Sequence, residues 1–305
     1  MKDFYEIIEE FKRRPGRPLA LASLVRVVGS SYRRPGARML ICDDGKRVGS
    51  LSAGCVEDEV AWRAREVLQT GEPIIVSFDT RRRFGCAGNI DVFIERVSEI
   101  FFPSLADALD GRGSCFVVTA FAKERHGSRV VRTEAEGDNH EELIQRVHAP
   151  IRLLIVGDGP DNAPLRSFAR SLGWETVELA DANSLAIEPD EWTAAIVKSH
   201  NYGRDFAALE KLLPMNLRYV GLIGPRKRRD QMMNHLLDLG ITVNAGFFAP
   251  AGLELGAETS DEIALSIISE IQRVFAKASG DSLRERKTPI HATLQRATMP
   301  TLSKP

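Results

Sequence analysis

Two glycines follow a strongly apolar run near the middle of the chain, and their spacing is typical of a phosphate-binding turn. A glycine at the position of Gly157 allows a tight turn after a buried strand, and one at Gly159 lets a diphosphate approach the backbone where a helix starts. Asp181, about 20 positions further on, is placed to bind a ribose hydroxyl. Pro160 lacks a backbone N–H, and Asn162 replaces the third glycine. Two interpretations stay open: a site for a phosphorylated ligand, or a turn that only joins strand to helix.

A cluster of four basic residues, 226-RKRR-229, begins a predicted helix directly after Pro225. Cations at a helix N-terminus oppose the helix dipole unless an anion lies nearby, so Arg226 is a candidate contact for phosphate. The alternative is a solvated basic surface. His200 follows the preceding strand and should lie at the same edge of the sheet. It is either a ligand contact or a turn residue that bonds to the backbone.

The first third of the chain carries three loops, 29–36, 49–57 and 81–89, that combine small residues with charged or thiol groups. Small residues let a ligand lie against backbone donors, and arginines offer planar forks to phosphate oxygens. We therefore predict a ligand site built from these loops. The residues selected as contacts are Ser31, Arg33, Arg34, Gly54, Cys55, Glu57, Cys86 and Gly88.

Two of the four cysteines stand where a thiol would be activated. Cys55 precedes a helix that begins near Glu57, where the helix dipole lowers a thiol pKa, and Cys86 lies in an arginine-flanked loop. The alternative for each is an inert buried residue. Cys42 and Cys115 fall inside apolar strands, and we predict that both are inert.

The elements that position these residues begin with a mixed α/β domain over residues 1–100. It consists of an amphipathic helix, several strands, a hairpin turn at Asp44-Gly45 and a second helix that starts at Glu57. Residues 101–150 predict an annex and a linker, with a hairpin formed by 116–121 and 129–132.

From residue 151 onward, apolar strands and amphipathic helices alternate with short connections, which is typical of a parallel sheet with right-handed crossovers. The fold class is thus α/β, with the N-terminal mixed domain followed by a Rossmann-like parallel-sheet domain over 151–280. Thr259 and Ser260 predict the cap of its last helix. Residues 281–305 are polar and aperiodic, and predict a flexible tail.

Composition excludes several classes of function. The formal net charge is −1, so no overall basic field recruits nucleic acid or a membrane surface. Four cysteines are too few for a disulfide framework, and no apolar run reaches the roughly 18 residues that a membrane span needs, so we expect a cytoplasmic protein. The motifs CxxC, HExxH, GxSxG and GxxxxGK[ST] are all missing from the sequence, so the chemistries that they mark, a P-loop ATPase among them, are not predicted.

Seven segments, in this order along the chain, resemble the XdhC/CoxI family. They are GSSYRRPGARMLI, GSLSAGCVEDEV and FGCAGNIDVFIE in the first third, and IVGDGPDNAPL, SHNYGRDFAALEKLLP, YVGLIGPRKRR and PAGLELGAETSDEIALSIISEI in the second half. Several motifs in the same order are far more specific than a single glycine pattern.

The resemblance implies a chaperone for molybdenum cofactor, either molybdopterin itself or a nucleotide form of it. Such a protein binds the cofactor, aids its sulfuration and inserts it into an apo molybdenum hydroxylase of the xanthine or aldehyde oxidase type. A cysteine desulfurase and a second copy of the chain are the further partners it suggests. In this hypothesis the ligand lies between the domains, with Cys55 and Cys86 near molybdenum and Arg33, Arg34 or Arg226 near phosphate.

Two other functions stay open from the residues alone. One is an NAD(P)-dependent oxidoreductase that uses Gly157, Gly159 and Asp181, although no His–Asp or Tyr–Lys pair stands out as its acid and base. The other is a regulatory or scaffolding protein whose Rossmann-like domain binds nothing.

Overall fold

The computed structural model describes residues 1–54, 56–80, 88–122, 126–133, 141–186 and 188–287. The chain forms two compact units. The first includes Met1–Ala149 and the second comprises Pro150–Glu285. The predicted tail lies outside the described residues from 288 onward, as do Cys55 and Cys86.

The larger sheet of the first unit has five strands in the order β3-β2-β1-β5-β4, and every neighbouring pair is antiparallel. The predicted hairpin turn is confirmed, since Gly45 N–H donates to the carbonyl of Cys42 at 2.9 Å. The strands and the helices against this sheet are α1 (Lys2–Lys12), β1 (Leu19–Gly29), β2 (Arg38–Cys42), β3 (Arg47–Gly49), α2 (Glu57–Thr70), β4 (Ile74–Asp79) and β5 (Gly88–Arg96).

Strand β1 is apolar along most of its length because both faces of this sheet are buried. Leu19 and Leu21 pack with Phe4 and Ile7 of α1 on one face. Ala20, Ala22 and Leu24 pack on the other face with Val60, Ala64 and Val67 of α2. Successive side chains of a strand point to opposite faces, so one continuous apolar run serves two cores.

A smaller antiparallel sheet with the order β7-β6-β8 completes the first unit. The hairpin predicted from 116–121 and 129–132 is confirmed as β6 (Ser114–Phe121) and β7 (His126–Val131). No pattern had predicted α3 (Phe101–Leu109) or β8 (Glu142–His148). A 3-10 turn, Asp110–Arg112, follows α3.

The second unit is a parallel sheet with the order β10-β9-β11-β12-β13, which confirms the predicted Rossmann-like class. The order reverses between β9 and β11, and ligands of such sheets bind where it reverses, beyond the carboxyl ends of the strands. The elements are β9 (Arg152–Val156), α4 (Asn162–Ser171), β10 (Glu175–Leu179), β11 (Thr193–Val197), α5 (Tyr202–Leu212), β12 (Tyr219–Leu222), α6 (Arg226–Asp238), β13 (Phe247–Phe248) and α7 (Ser260–Phe275).

Local signals set the ends of these helices, and the predicted cap of the last helix is confirmed. Gly173 follows α4 in the left-handed region, with φ +74°. Thr259 caps α7: its hydroxyl accepts from the N–H of Glu262, and the Glu262 carboxylate accepts from the N–H of Thr259 at 2.9 Å. Across the described ranges, no helix combines the length and the apolar character needed to cross a membrane.

Candidate functional site

Two of the three predicted loops of the first unit, and the residues that flank the third, meet at one edge of the larger sheet. Gly29 at the end of β1 pairs with Gly88 at the start of β5, and Gly49 at the end of β3 pairs with Met39 near the start of β2. We call this edge the loop end; it comprises residues 29–36 and 49–54, together with Thr80 and Gly88. The antiparallel register therefore gathers polar segments that are far apart in sequence.

Side-chain contacts tie the loop end together. Arg33 donates through Nη1 to the hydroxyl of Ser50 at 3.3 Å and forms an ion pair with Asp3. A Cβ on Gly88 would stand 2.4 Å from the carbonyl oxygen of Ser30, so only glycine fits there. The small residue at position 88 thus serves to pack two loops of the chain against each other.

The carboxylate of Glu57 holds the second loop in place. One of its oxygens accepts from the N–H groups of Leu51 (3.1 Å) and Ser52 (2.7 Å), and the other accepts from the Ser52 hydroxyl (2.7 Å) and the Val56 N–H (3.1 Å). Burial alone would raise the pKa of Glu57, but these hydrogen bonds outweigh it and hold that pKa below its usual range. Glu57 therefore stabilises the loop, and both of its carboxylate oxygens already accept hydrogen bonds from it.

Several predicted contacts are open to solvent. Gly54 is exposed with φ +102°, and among the described residues, its chain neighbours aside, no heavy atom lies within 4 Å of the position a Cβ would take. Arg34 is exposed, Ser31 is half-buried, and Tyr32 between them is 66% exposed. The loop end thus offers a guanidinium, a hydroxyl and free space beside a glycine.

Two of the four cysteines lie within the described residues, and two lie outside them. Cys42 and Cys115 are buried as predicted, and burial raises the pKa of both thiols, which disfavours the nucleophilic thiolate. The roles suggested for Cys55 and Cys86 stay predictions. Within the described ranges, no three His, Cys, Asp or Glu side chains cluster closely enough to hold a metal ion.

A buried arginine beneath the loop end was missed by sequence reasoning. Arg38, at the start of β2, is only 2% exposed; it donates to the hydroxyl of Thr119 at 2.9 Å, to the carbonyl of Gly36 at 3.2 Å and to Oε1 of Gln145. The Thr119 hydroxyl in turn bonds to that of Ser128 at 2.9 Å. The only signal in the sequence was one charged residue at the head of an apolar strand.

In the second unit, the predicted tight turn is present at Gly157. Its φ is +126°, and a Cβ there would stand 2.7 Å from the backbone N of Ser199. The turn after β9 therefore lies directly against the segment that follows β11. A Cβ on Gly159 would stand 2.5 Å from Oδ1 of Asp161. This carboxylate therefore occupies the space through which a diphosphate would approach the backbone.

Lys198 is the second functional candidate that the sequence did not reveal. It is fully buried at the end of β11, and its ammonium donates to Asp161 Oδ1 at 2.8 Å and to Asn162 Oδ1 at 2.5 Å. Asn162 also donates to the carbonyl of Gly157 at 3.0 Å. Asn162, which stands at the third glycine position of the fingerprint, thus bonds to the turn itself. The lysine cation neutralises Asp161 beside it.

The segment after β11 is held by the buried Asp205. Its carboxylate accepts from the N–H and hydroxyl of Ser199, at 2.8 and 2.5 Å, and pairs with Arg228 at 2.5 Å. His200 sits in the left-handed region with φ +56°, and its Nε2 lies 3.8 Å from Asp161. Arg228, predicted only as part of a basic cluster, is therefore a structural counter-ion.

The remaining predicted contacts lie at the surface of the second unit. Arg226 is exposed, and no other residue of the described ranges pairs with its side chain. Asp181 caps a short 3-10 turn, Ala182–Ser184, by accepting from the N–H of Asn183 at 2.8 Å. Its ribose-binding role stays a prediction.

Similarity to known proteins follows the division into two units. The model of the XdhC and CoxI family matches residues 13–79, and that of the XdhC Rossmann domain matches residues 153–271. A Bacillus subtilis protein named as a probable xanthine dehydrogenase subunit is 28% identical, over 82% of this chain and 91% of that protein. The molybdenum cofactor insertion chaperone PaoD of Escherichia coli is 25% identical, over 88% of this chain and 86% of that protein.

A crystal structure of a xanthine dehydrogenase from Bacillus halodurans has the same fold. The TM-score is 0.79 at 23% identity, over 94% of this chain and 98% of that one. The two family matches lie in different units of the chain and together span more than half of its length. The chain therefore belongs to the XdhC/CoxI family.

Proposed function

We propose that this chain is an accessory protein that binds molybdenum cofactor as cargo and transfers it to an apo molybdenum hydroxylase. The observation that carries the proposal is the loop end, where glycine-rich segments, Arg33 and Arg34 meet at one edge of the sheet. The name of PaoD supports it, since that relative is an insertion chaperone for the same cofactor.

The chemistry of the loop end suits a phosphorylated pterin. Arg34 and Gly54 are exposed, and guanidinium forks pair well with phosphate oxygens. The ion pair with Asp3 and the hydrogen bond to Ser50 hold Arg33 in one orientation, which lowers the entropy cost of binding. The protein binds and orients its cargo, and the cargo supplies the redox metal to the enzyme that receives it.

The same proposal includes sulfuration. Cys55 and Cys86 are the thiols assigned to the neighbourhood of the metal, where soft sulfur ligands are favoured. A cysteine desulfurase as sulfur donor and a homodimer as the working form complete the proposal, and the family resemblance supports both. A contact between the cargo and the second unit stays a prediction. The cargo is either molybdopterin or a nucleotide form of it.

NAD(P) is not favoured as a second candidate ligand. The carboxylate of Asp161 lies where a diphosphate would approach Gly159, and Pro160 removes a donor from the same turn. Lys198 neutralises this carboxylate, so the obstacle to a diphosphate is the space that Asp161 occupies and the missing donor at Pro160.

Removal of both loop arginines should abolish most cofactor retention. Each charge-assisted hydrogen bond contributes about 1.5–3 kcal/mol, so Arg33→Ala/Arg34→Ala should retain less than about a tenth of the pterin bound by the wild type. The measurement is pterin released from protein purified from a molybdopterin-competent host. Arg13→Ala/Arg17→Ala removes the same charge from the segment before β1, at the opposite end of the sheet, and should retain wild-type amounts. Equal retention by both variants contradicts the proposal.

The two loop cysteines can be tested by a separate readout. Cys55→Ser and Cys86→Ser are expected to keep bound pterin but to lower activation of the partner hydroxylase, because a hydroxyl does not replace a thiolate beside the metal. Cys42→Ser is not a suitable control, since Cys42 is buried; Ser104→Ala, at an exposed position of α3 outside the loop end, is preferable. If both serine variants activate the partner as the wild type does, neither thiol takes part.

A further inference from the structure

The first unit contains a polar cleft that the proposed function does not use. Its volume is about 410 Å³, within the range of sites for small ligands. It lies between the turn that joins α2 to β4, the end of β5 and the β6–β7 hairpin. Its lining includes Gly71, Glu95, Arg96, His126, Ser128 and Arg129.

The cleft is distant from the loop end. Strand β5 begins at the loop end with Gly88 and reaches the cleft with Glu95 and Arg96. At about 3.3 Å per residue, the two sites are separated by roughly 25 Å along this strand. A ligand in the cleft therefore leaves the loop end free.

The rim of the cleft carries groups that favour an anion. Arg96, His126 and Arg129 are all exposed, and Arg129 pairs with Glu142 at 3.1 Å. Neither Arg96 nor His126 makes a side-chain hydrogen bond or ion pair with another residue that the structure describes. Within the described part of the chain, two of the three rim groups are thus without a side-chain partner.

The floor of the cleft is tied together by hydrogen bonds and carries the one carboxyl group among the described lining residues. Glu95 accepts from the N–H of Ser128 at 2.8 Å and from its hydroxyl at 2.6 Å, which occupies both carboxylate oxygens. Burial raises the pKa of Glu95, although Ser128 and the buried Arg38 act in the opposite direction. The floor therefore repels an anion less than an exposed glutamate would.

We propose that this cleft binds a small oxyanion, a phosphate monoester or a carboxylate, through Arg96, Arg129 and His126. Guanidinium forks pair with both kinds of oxyanion, and an imidazole adds a further donor. The occupant is a small metabolite, because the cleft volume of about 410 Å³ suits a ligand of that size.

The test is an NMR titration of the full-length chain, with the ring signals of His126 as a local probe. Inorganic phosphate, glycerol 3-phosphate and citrate are added separately, at constant ionic strength set with chloride. We expect saturable shifts with at least one oxyanion and none with chloride alone. A tighter response to glycerol 3-phosphate than to inorganic phosphate or citrate identifies a phosphate monoester, and a tighter response to citrate identifies a carboxylate.

Two variants assign the binding to the cleft. Arg96→Ala and Arg129→Ala, both at exposed positions, should each weaken the response at least tenfold. Arg132→Ala, whose exposed side chain pairs with Asp107 beyond the other end of β7, should leave it unchanged. Shifts that do not saturate, or saturable binding that is equal in all three variants, would overturn the proposal. Pterin retention measured on the same samples keeps this result separate from the proposed function.

Discussion

The Arg38→Met variant is expected to lose about 3–5 kcal/mol of stability in the first unit, because removing one partner of a buried charged network leaves the others unpaired. The side chain of Arg38 is fully buried, and burial lowers its pKa to about 10 while the charge of Glu95 raises it. Without the guanidinium, Thr119 and Gln145 lose their donor, and Glu95 loses the cation that faces it.

The measurement is hydrogen exchange of the full-length chain in increasing urea, which resolves the amides of each unit separately. Amides of β1, β2 and β6 should lose protection at lower urea in Arg38→Met, and those of the second unit should not change. Arg47→Met is the matched control, because Arg47 forms an exposed pair with Asp58 worth at most about 1 kcal/mol. Equal effects of the two substitutions would show that the buried network adds nothing to stability.

The second large effect is expected for Glu57→Ala. Three backbone N–H groups and one hydroxyl lose their acceptor, and each buried donor left without a partner costs about 1–3 kcal/mol. A loss of about 3 kcal/mol or more in the first unit should follow, together with faster hydrogen exchange at the amides of Leu51, Ser52 and Val56. Asp58→Ala, one residue further along α2, removes an exposed carboxylate and should cost less than about 1 kcal/mol.

The pH dependence of this effect has a defined sign. The pKa of Glu57 is lowered in the folded chain, so its stabilising contribution is present above the unfolded value of about 4.3 and is lost as pH falls through the folded value. The stability difference between wild type and Glu57→Gln should therefore be constant near neutral pH and shrink below about pH 4. A difference that grows on acidification would show that the carboxylate is not the stabilising form.

The second unit was the easier part to predict from sequence. Parallel strands covered on both faces are short apolar runs, and glycines or proline mark where they and their helices end. In the first unit, β1 was predicted for the same reason. Strand β8 was missed because polar residues such as Gln145 lie along it, and Gln145 is held by Arg38, 107 positions away.

The candidate site was predictable only in its outer residues. Glycines and arginines mark loops because their roles are local, and the register of the sheet then brings those loops together. The buried charges Arg38, Lys198 and Asp205 take their meaning from partners distant in sequence, so a lysine after an apolar strand carries no sign of its contact with Asp161. Similarly, Glu57 was predicted as a ligand contact, although its carboxylate is used within the loop.

The most direct test of the cargo-binding role is the pterin content of the purified chain. The protein is produced in a host that makes molybdopterin, freed of loosely bound molecules by gel filtration, and oxidised so that released pterin is read by its fluorescence. We expect pterin to co-elute with the wild-type chain in amounts comparable to the protein, and to be lost from Arg33→Ala/Arg34→Ala. Pterin no higher than that carried by an unrelated protein prepared in the same way would contradict the proposal.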